Sequence, residues 1–423
     1  MALPEQPRLR RVESFPVSGS GGEVVFALRD PEGFSEPIVL PYPAAVLASL
    51  MDGSRTPCEL QNVFREKTGH EVSIDELARL VHQLDERWYM DTDRFRARWK
   101  RDIELYLNSK TRLPAHAGRA YAADPQALRA QLAGLFTASG GPGTIPEQAT
   151  SDTPRRLSGV MSPHIDFQRG GATAAWAYKR LVEQSDADLF VIFGTAHNPM
   201  RSRFSITRKH FETPLGTVET DRAFITRLNT NLASTPGGAE VNLFADELAH
   251  RQEHSIEFQV VFLQYLLADK RPFKIVPVLT GSFHDFIRKA RSPAGSPEVQ
   301  AFVAAMRQTA EAEGQRVGFI SGVDLAHIGQ RYGDRSFLDA GRLTSQAEDD
   351  RQLLAALERA DAEGFFRHVA GQGDRNRVCG LSPAYTMLEV LKPRRGELLK
   401  YDQAVELDGT ACVSFASMAF YSD

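Results

Sequence analysis

The sequence is poor in cysteine, lacks long apolar runs and carries no large excess of charge of one sign. Its three cysteines, Cys58, Cys379 and Cys412, cannot form a disulfide framework, which is typical of a reducing compartment. No segment approaches the ~18 consecutive apolar residues of a membrane span, and the N-terminus lacks the apolar core of a signal peptide. We therefore expect a cytoplasmic protein without a membrane partner.

The charge balance argues against nucleic acid as a partner. The formal charge of -4, with 25% charged and 42% hydrophobic residues, is ordinary for a globular protein. We interpret the short basic cluster formed by Arg94, Arg96, Arg98, Lys100 and Arg101 as a solvated helix face or a linker. A chain of 423 residues exceeds the ~100–200 residues of one domain, so two domains are expected.

A small helical module is predicted within residues 1–105. Thr56-Pro57-Cys58-Glu59 has the pattern of a helix N-cap with a capping-box glutamate, and Ser73-Ile74-Asp75-Glu76 repeats that spacing. The segment RWYMD that follows suits a short strand or wing. This winged-helix-like pattern resembles that of the PqqD-like peptide-recognition modules, so a peptide is the expected ligand of this domain.

From residue 155 onward, short apolar runs alternate with longer amphipathic segments. The runs lie at 157–161, 189–193, 274–279 and 317–321, and patterns typical of helices, such as GATAAWAYKRLVEQ, separate them. The alternation predicts an α/β domain with a mixed or largely parallel sheet flanked by helices.

Chemically active side chains follow three of these runs. VMSPHIDF contains His164, LFVIFGTAH ends on His197, and VGFISGVDLAH contains Asp324 and ends on His327. The binding crevice of an open α/β sheet lies beyond the carboxyl ends of its strands. We therefore expect these side chains to converge if their strands are neighbours.

Two further groups are candidates for the same site. Cys379 lies just before a predicted helix, where a helix N-terminus or a metal favours the thiolate. His254 and Glu257 stand i, i+3 on one face of a predicted helix. Imidazole, thiolate and carboxylate are ligands for iron, copper or zinc, but they also permit metal-free acid–base chemistry. A hydrolase with Cys379 as nucleophile and His164 or His327 as base is a third hypothesis.

Seven motifs, in order from about residue 113 to residue 421, resemble those of the Memo family, also called AmmeMemoRadiSam system protein B. They read PAHAGRAY, MSPHIDF, FGTAHNP, QEHSIEFQ, PVLTGS, SGVDLAHIGQRY and CGLSP. That family is similar in fold to class III extradiol dioxygenases, which bind ferrous iron. The resemblance therefore implies an extradiol-dioxygenase-like fold with a pocket for one iron or copper ion.

The resemblance also implies roles for individual residues. His164, His197 and Cys379 match metal-ligand positions, and Asp324 and His327 match pocket residues beside the metal. With these we group His254 as a further catalytic candidate and, as further pocket candidates, His116 of PAHAGRAY, Asp166 and Glu257. Asp166 is a departure, because the family's first motif commonly reads Pro-His-Ala-Gly-Tyr and has no carboxylate there.

The leading hypothesis is a metal-binding protein that holds one redox-active iron or copper ion, with zinc as a third option. It would perform or support an oxygen- or radical-linked step, as a dioxygenase-like oxidoreductase. The rival hypothesis is a non-catalytic module that recognises a peptide or phosphopeptide in a dioxygenase-like pocket. The family name implies a radical SAM protein and an AMMECR1-like protein as candidate partners.

Overall fold

The structure is a computed structural model that describes residues 3–19, 23–147, 157–314 and 317–422. The chain divides into two compact units, Met1–Asn108 and Ser109–Asp423. Within the described residues, none of the helices combines the length and the hydropathy that crossing a bilayer requires.

In the residues of the first unit that the structure describes, a small sheet is combined with four helices. Its elements are β1 (Glu13–Ser18), β2 (Val24–Arg29), β3 (Ile38–Pro41), α1 (Tyr42–Leu50), α2 (Pro57–Thr68), α3 (Ile74–Glu86) and α4 (Asp93–Asn108). The three strands pair antiparallel in the order β1-β2-β3. Leu28 and Ile38 from the sheet share one apolar core with Leu47, Leu60 and Leu77 from the first three helices. Burial of these faces holds the helices against the sheet.

Two capping boxes begin α2 and α3, as predicted. The Thr56 hydroxyl accepts the backbone N–H of Glu59, whose carboxylate accepts the backbone N–H of Thr56. Ser73 and Glu76 form the same reciprocal pair one helix later. Each box satisfies two N–H groups that the first turn of a helix leaves without partners.

The segment RWYMD, expected to form a short strand or wing, makes a single isolated bridge between Met90 and Leu9. Trp88 has a φ of 67°, which interrupts an extended conformation. Tyr89 is fully buried, and its hydroxyl donates to the carbonyls of Leu28 and Glu36. The segment therefore closes the core of the first unit instead of extending the sheet.

The second unit is a mixed α/β structure. Its strands are β4 (Thr111–Arg112), β5 (Leu157–Ser162), β6 (Leu189–Thr195), β7 (Phe204–Ile206), β8 (His210–Thr213), β9 (Gly216–Thr220), β10 (Lys274–Thr280), β11 (Val317–Gly322), β12 (His327–Ile328), β13 (Arg395–Val405) and β14 (Cys412–Tyr421). Its α-helices are α5 (Pro125–Thr137), α6 (Phe167–Gln184), α7 (Arg222–Ser234), α8 (His254–Leu267), α9 (His284–Arg288), α10 (Pro297–Glu313), α11 (Ala340–Glu358), α12 (Ala362–Gly371) and α13 (Leu381–Leu391).

Within the described residues these strands form one sheet in the order β12-β14-β5-β11-β6-β10-β9-β8-β4. In addition, β13 pairs with β14 and β7 pairs with β10. The four neighbouring strands β5, β11, β6 and β10 are parallel, and antiparallel pairs lie toward both edges. The mixed, largely parallel sheet flanked by helices confirms the predicted fold class.

The central strands are buried on both faces. Along β6, Val191 and Phe193 belong to one apolar core, whereas Phe190 and Ile192 belong to the other. Side chains alternate between the faces of a strand, so a strand covered on both sides reads as an uninterrupted apolar run. The carboxyl ends of the parallel strands lie at one edge of the sheet, where the polar side chains follow.

Candidate metal centre

The loops that follow β5, β11 and β6 meet at one edge of the sheet because these strands are adjacent. They carry His164, Asp324 and His197 respectively. The ring centroids of His164 and His197 lie 5.0 Å apart, and Oδ2 of Asp324 lies 3.6 Å from Nε2 of His164. The structure thus brings together side chains from three separate strand ends.

Cys379 reaches the same point from the segment before α13. Its Sγ lies 3.3 Å from Nε2 of His164, and the donor atoms of His164, His197 and Cys379 all lie within 4.8 Å of one another. Burial alone would raise the pKa of the Cys379 thiol. The charges of His164 and His327 outweigh that effect and lower the pKa to about 5. The thiolate is the form of cysteine that binds metals.

Backbone contacts orient His164. Its Nδ1 lies 2.8 Å from the carbonyl oxygen of Gly322, which makes Nδ1 a donor and leaves Nε2 facing Cys379. Oδ1 of Asp324 accepts the backbone N–H groups of His164 and Ile165 at 3.0 and 3.2 Å. Burial lowers the pKa of His164, whereas the charges of Asp324 and Cys379 raise it, to about 9. The charges that retain a proton at Nε2 would equally favour a metal cation there.

Glu253 orients His197, and sequence reasoning missed it. Its Oε1 lies 2.9 Å from Nδ1 of His197, and its Oε2 accepts the backbone N–H of the same residue at 2.9 Å. Burial raises the pKa of Glu253, but His197 and His254 hold it well below its ordinary value. Metal-binding histidines commonly donate their second ring N–H to a carboxylate. The available signal was the position of Glu253 as the N-cap of α8.

His254 and His116 lie beside this pair. The ring of His254 stacks on that of His197 with centroids 4.5 Å apart, and the ring of His116 lies 5.5 Å from that of His254. Nε2 of His116 is 2.9 Å from the carbonyl oxygen of Gln252. His197, Glu253 and His254 also form a second group of metal donor atoms within 4.8 Å of one another.

His327 is held from two sides by Arg377. Nδ1 of His327 lies 3.1 Å from the carbonyl oxygen of Arg377, whose guanidinium donates to the carbonyl oxygen of His327 at 3.0 Å. Arg377 has a φ of 54°, a conformation that residues other than glycine rarely adopt and that often marks functional sites. Sequence reasoning also missed this positioning residue.

Glu257 has a structural role. Its carboxylate pairs with the fully buried Arg112 and with the hydroxyl of Tyr121. It also accepts the backbone N–H groups of Ala115 and His116, each at 3.0 Å. These contacts engage both carboxylate oxygens, so Glu257 positions the segment that carries His116.

Asp166 also has a structural role. It is the N-cap of α6, where its Oδ1 accepts the backbone N–H of Arg169 at 3.1 Å. Its Oδ2 forms an ion pair with the Arg169 guanidinium at 2.6 Å. These contacts place the carboxylate at the beginning of a helix, outside the three-donor group.

A cavity of about 420 Å³ adjoins the centre on the side of His197. The loops after β6 and β10 line it, including Asn198, Met200, Arg201 and Gly281. The His197 side chain is 37% exposed, whereas that of His164 is 1% exposed. A small molecule would therefore approach the centre from the His197 side.

The comparisons with known proteins agree with the motifs. The model of the family described as Memo-like protein matches residues 112–419. A MEMO1 family protein from Methanopyrus kandleri is 31% identical over 319 residues, which cover 73% of this chain and 98% of that protein. The chain belongs to the Memo family.

A second relative is longer. A MEMO1 family protein from Aquifex aeolicus is 28% identical over 400 residues, which cover 94% of this chain and 96% of that protein. This alignment exceeds the length of the second unit and therefore extends into the first. The crystal structure of an uncharacterized protein, JW3007 from Escherichia coli K12, aligns with a TM-score of 0.36 and 15% identity, covering 62% of this chain and 99% of that chain.

Proposed function

We propose that this Memo family protein binds one redox-active metal ion, iron or copper, through His164, His197 and Cys379, and performs or supports a redox step. One observation carries the proposal: two imidazoles and a thiolate place their donor atoms within 4.8 Å of one another at a single sheet edge. Zinc accepts the same donors, so the preference for iron or copper rests on the family likeness.

The surroundings of the three donors suit a cation. Hydrogen bonds from Nδ1 of His164 to Gly322 and from Nδ1 of His197 to Glu253 leave both Nε2 atoms available. The Cys379 thiolate then adds a negative charge between two oriented imidazoles. A bound iron or copper ion would supply one-electron chemistry.

Other side chains would manage protons and ligands around the ion. Oδ2 of Asp324, 3.6 Å from Nε2 of His164, is placed to orient a bound water or substrate. His254, stacked on His197, and His327, whose charge acts on the Cys379 thiol, are proposed to accept or donate a proton. These three residues are therefore the proposed catalytic group, and none of them is a proposed metal ligand.

Metal stoichiometry tests the proposal. After anaerobic loading with ferrous or cuprous ion, we expect one ion per chain in the wild type and little metal in His164→Ala, His197→Ala and Cys379→Ala. Cys412→Ala is the matched control. Cys412 is buried outside the donor group, so this variant should retain the metal.

The outcomes separate the two hypotheses. Full occupancy in any of the three ligand variants would remove that residue from the site. Oxygen consumption by the loaded wild type would support a redox step. A wild-type protein that takes up no metal would instead favour the non-catalytic peptide- or phosphopeptide-binding alternative.

We also propose that the first unit binds a peptide along β3. This strand lies at the edge of its sheet, and Val39 on it and Tyr42 just after it are 58% and 54% exposed. An exposed sheet edge with apolar side chains suits an added peptide strand. Contacts with a radical SAM protein and an AMMECR1-like protein stay predictions, which co-purification of the full chain with each partner would test.

A further inference from the structure

A second cavity, of about 340 Å³, lies at the N-terminal end of α11. None of the three proposed metal ligands lines it. Three of the side chains that do line it carry guanidinium groups, and these belong to Arg335, Arg342 and Arg375. Three arginines in one concave surface repel one another unless neighbouring carboxylates or a bound anion neutralise their charges.

Few neighbouring charges compensate these arginines. The guanidinium of Arg342 donates to the amide oxygens of Gln346 and Asn376, at 3.3 and 3.1 Å, and both acceptors are neutral. In the part of the chain that the structure describes, no carboxylate forms an ion pair with any of the three arginines. Their positive charges therefore remain available to a ligand.

The two carboxylates in the lining already have partners. Asp334 accepts the backbone N–H of Gly329 and pairs with the guanidinium of Arg377, both at 2.7 Å. Asp339 is the N-cap of α11, where it accepts a backbone N–H at 2.7 Å. Asp334 also attracts Arg342 electrostatically, but the lining holds three guanidinium groups against two carboxylates, so the cavity keeps a positive surplus.

An adjoining cavity indicates where the surplus of positive charge is greatest. Arg342 and Arg375 also line a third cavity, of about 550 Å³, and the carboxylates of Glu348 and Asp349 line that cavity with them. Arg335 lines only the smaller cavity. The strongest attraction for an anion is therefore expected between Arg335 and the other two arginines, in the smaller cavity.

We propose that the smaller cavity binds a phosphate-class oxyanion held by Arg335, Arg342 and Arg375. The planar guanidinium group matches phosphate oxygens with two parallel N–H bonds, and such charge-assisted bonds are stronger than neutral ones. Phe337 lines the same cavity and is 62% exposed, so a planar ring carried by the ligand would have a face to stack on. The phosphate could be free or part of such a ligand.

The cavity is close to the candidate metal centre but independent of it. The carbonyl oxygen of Asn376 in its lining accepts the backbone N–H of His327 at 2.7 Å. The anion would contact arginines, whereas the metal would contact imidazoles and a thiolate. Loss of anion binding with unchanged metal content would therefore leave the proposed metal function intact, and the reverse also holds.

Isothermal titration calorimetry of the full chain tests the site, with inorganic phosphate and adenosine monophosphate as separate probes. Arg335→Ala and Arg375→Ala remove exposed side chains, so both variants should fold normally. We expect each to weaken binding by about tenfold, because each removes charge-assisted bonds. Arg359→Ala, at the other end of α11, is the control and should bind like the wild type.

The two probes identify the source of the phosphate. Tighter binding of adenosine monophosphate that Phe337→Ala abolishes would support a phosphorylated ligand with a ring. Equal affinity for both probes, unchanged in Phe337→Ala, would support free phosphate. The proposal is overturned if neither probe gives saturable binding to the wild type, or if the Arg335→Ala, Arg375→Ala double variant binds either probe with wild-type affinity.

Discussion

Glu253 holds His197 at two points, through Nδ1 of the ring and through the backbone N–H, each at 2.9 Å. The same carboxylate caps α8 by accepting the backbone N–H groups of His254 and Ser255 at 2.9 and 3.0 Å. One buried side chain therefore ties the loop after β6 to the beginning of α8. Because the bond to Nδ1 selects the tautomer, it leaves Nε2 of His197 for a metal.

We predict that Glu253→Gln weakens metal binding by about 10–100-fold, the usual cost of losing a residue that supports a metal ligand. Glutamine keeps the size of the side chain but offers only one acceptor oxygen and no negative charge. Anaerobic competition with a chelator measures the affinity. Glu298→Gln is the control, because Glu298 lines the cavity beside His197 but pairs with Arg203. Equal losses in the two variants would contradict a specific role for Glu253.

A pair of substitutions at Asp324 separates its hydrogen bonds from its charge. An asparagine oxygen can still accept the N–H groups of His164 and Ile165, so Asp324→Asn should retain one metal ion per chain. Asp324→Ala leaves two buried N–H groups without partners, at about 1–3 kcal/mol each, and should lower both stability and metal content. Thermal melts and metal analysis measure both effects. An empty Asp324→Asn variant would instead make Asp324 a ligand.

The side chains at the carboxyl ends of the parallel strands could be predicted from sequence, because the sequence signals of a buried strand are local. Buried parallel strands read as continuous apolar runs, and His164 and His197 directly follow two of them. The order of the strands is different, since it depends on contacts between distant segments. That β11 lies between β5 and β6, which makes the three ends neighbours, required the structure.

The roles of the two glutamates could not be read from the motif QEHSIEFQ. Its i, i+3 spacing draws attention to His254 and Glu257, yet Glu253 is the carboxylate that contacts His197. Which of the two glutamates contacts His197 depends on where α8 begins, and helix ends are set by capping contacts that sequence locates only to within one or two residues.

The sequence does not predict the strands β1, β2 and β3 for a different reason, because runs of 4–6 residues give weak periodicity.

The buried pair of Arg112 and Glu257 should dominate the stability of this region. Both side chains are 0% exposed, so Glu257→Ala would leave a buried guanidinium without its carboxylate. Breaking such a pair typically costs about 3–5 kcal/mol, measurable by chemical denaturation. The control, Arg129→Ala, breaks an exposed pair with Asp269 and should cost about 0–1 kcal/mol. Similar losses in the two variants would show that Glu257 is not a structural anchor.

Thiol labelling gives an independent measure of metal occupancy. In a Cys58→Ser background, which removes the exposed thiol, a thiol reagent should label Cys379 readily without metal and slowly after anaerobic loading. The reason is that a sulfur bound to a metal is a poor nucleophile toward the reagent. Cys412 is 1% exposed and should stay unlabelled in both states. Equal labelling of Cys379 with and without bound metal would remove it from the ligand set and favour the metal-free nucleophile.

The basic cluster on α4 is largely neutralised within the first unit, and this leads to the last prediction. Four of its five cations form ion pairs with aspartates: Arg94 with Asp85 at 3.3 Å, Arg96 with Asp91 at 2.9 Å, and Arg98 and Arg101 with Asp102 at 3.4 and 3.1 Å. We therefore expect no tight binding of duplex DNA to the full chain at low salt, measured by fluorescence anisotropy. Arg96 also pairs with Asp93 at 3.2 Å, so the variant Asp91→Asn, Asp93→Asn, Asp102→Asn frees three of these arginines. It should bind DNA more tightly than the wild type, with an affinity that falls as salt rises. A tight, steeply salt-dependent complex of the wild type would contradict this, because it would require phosphates to displace aspartates that the fold already holds beside the arginines.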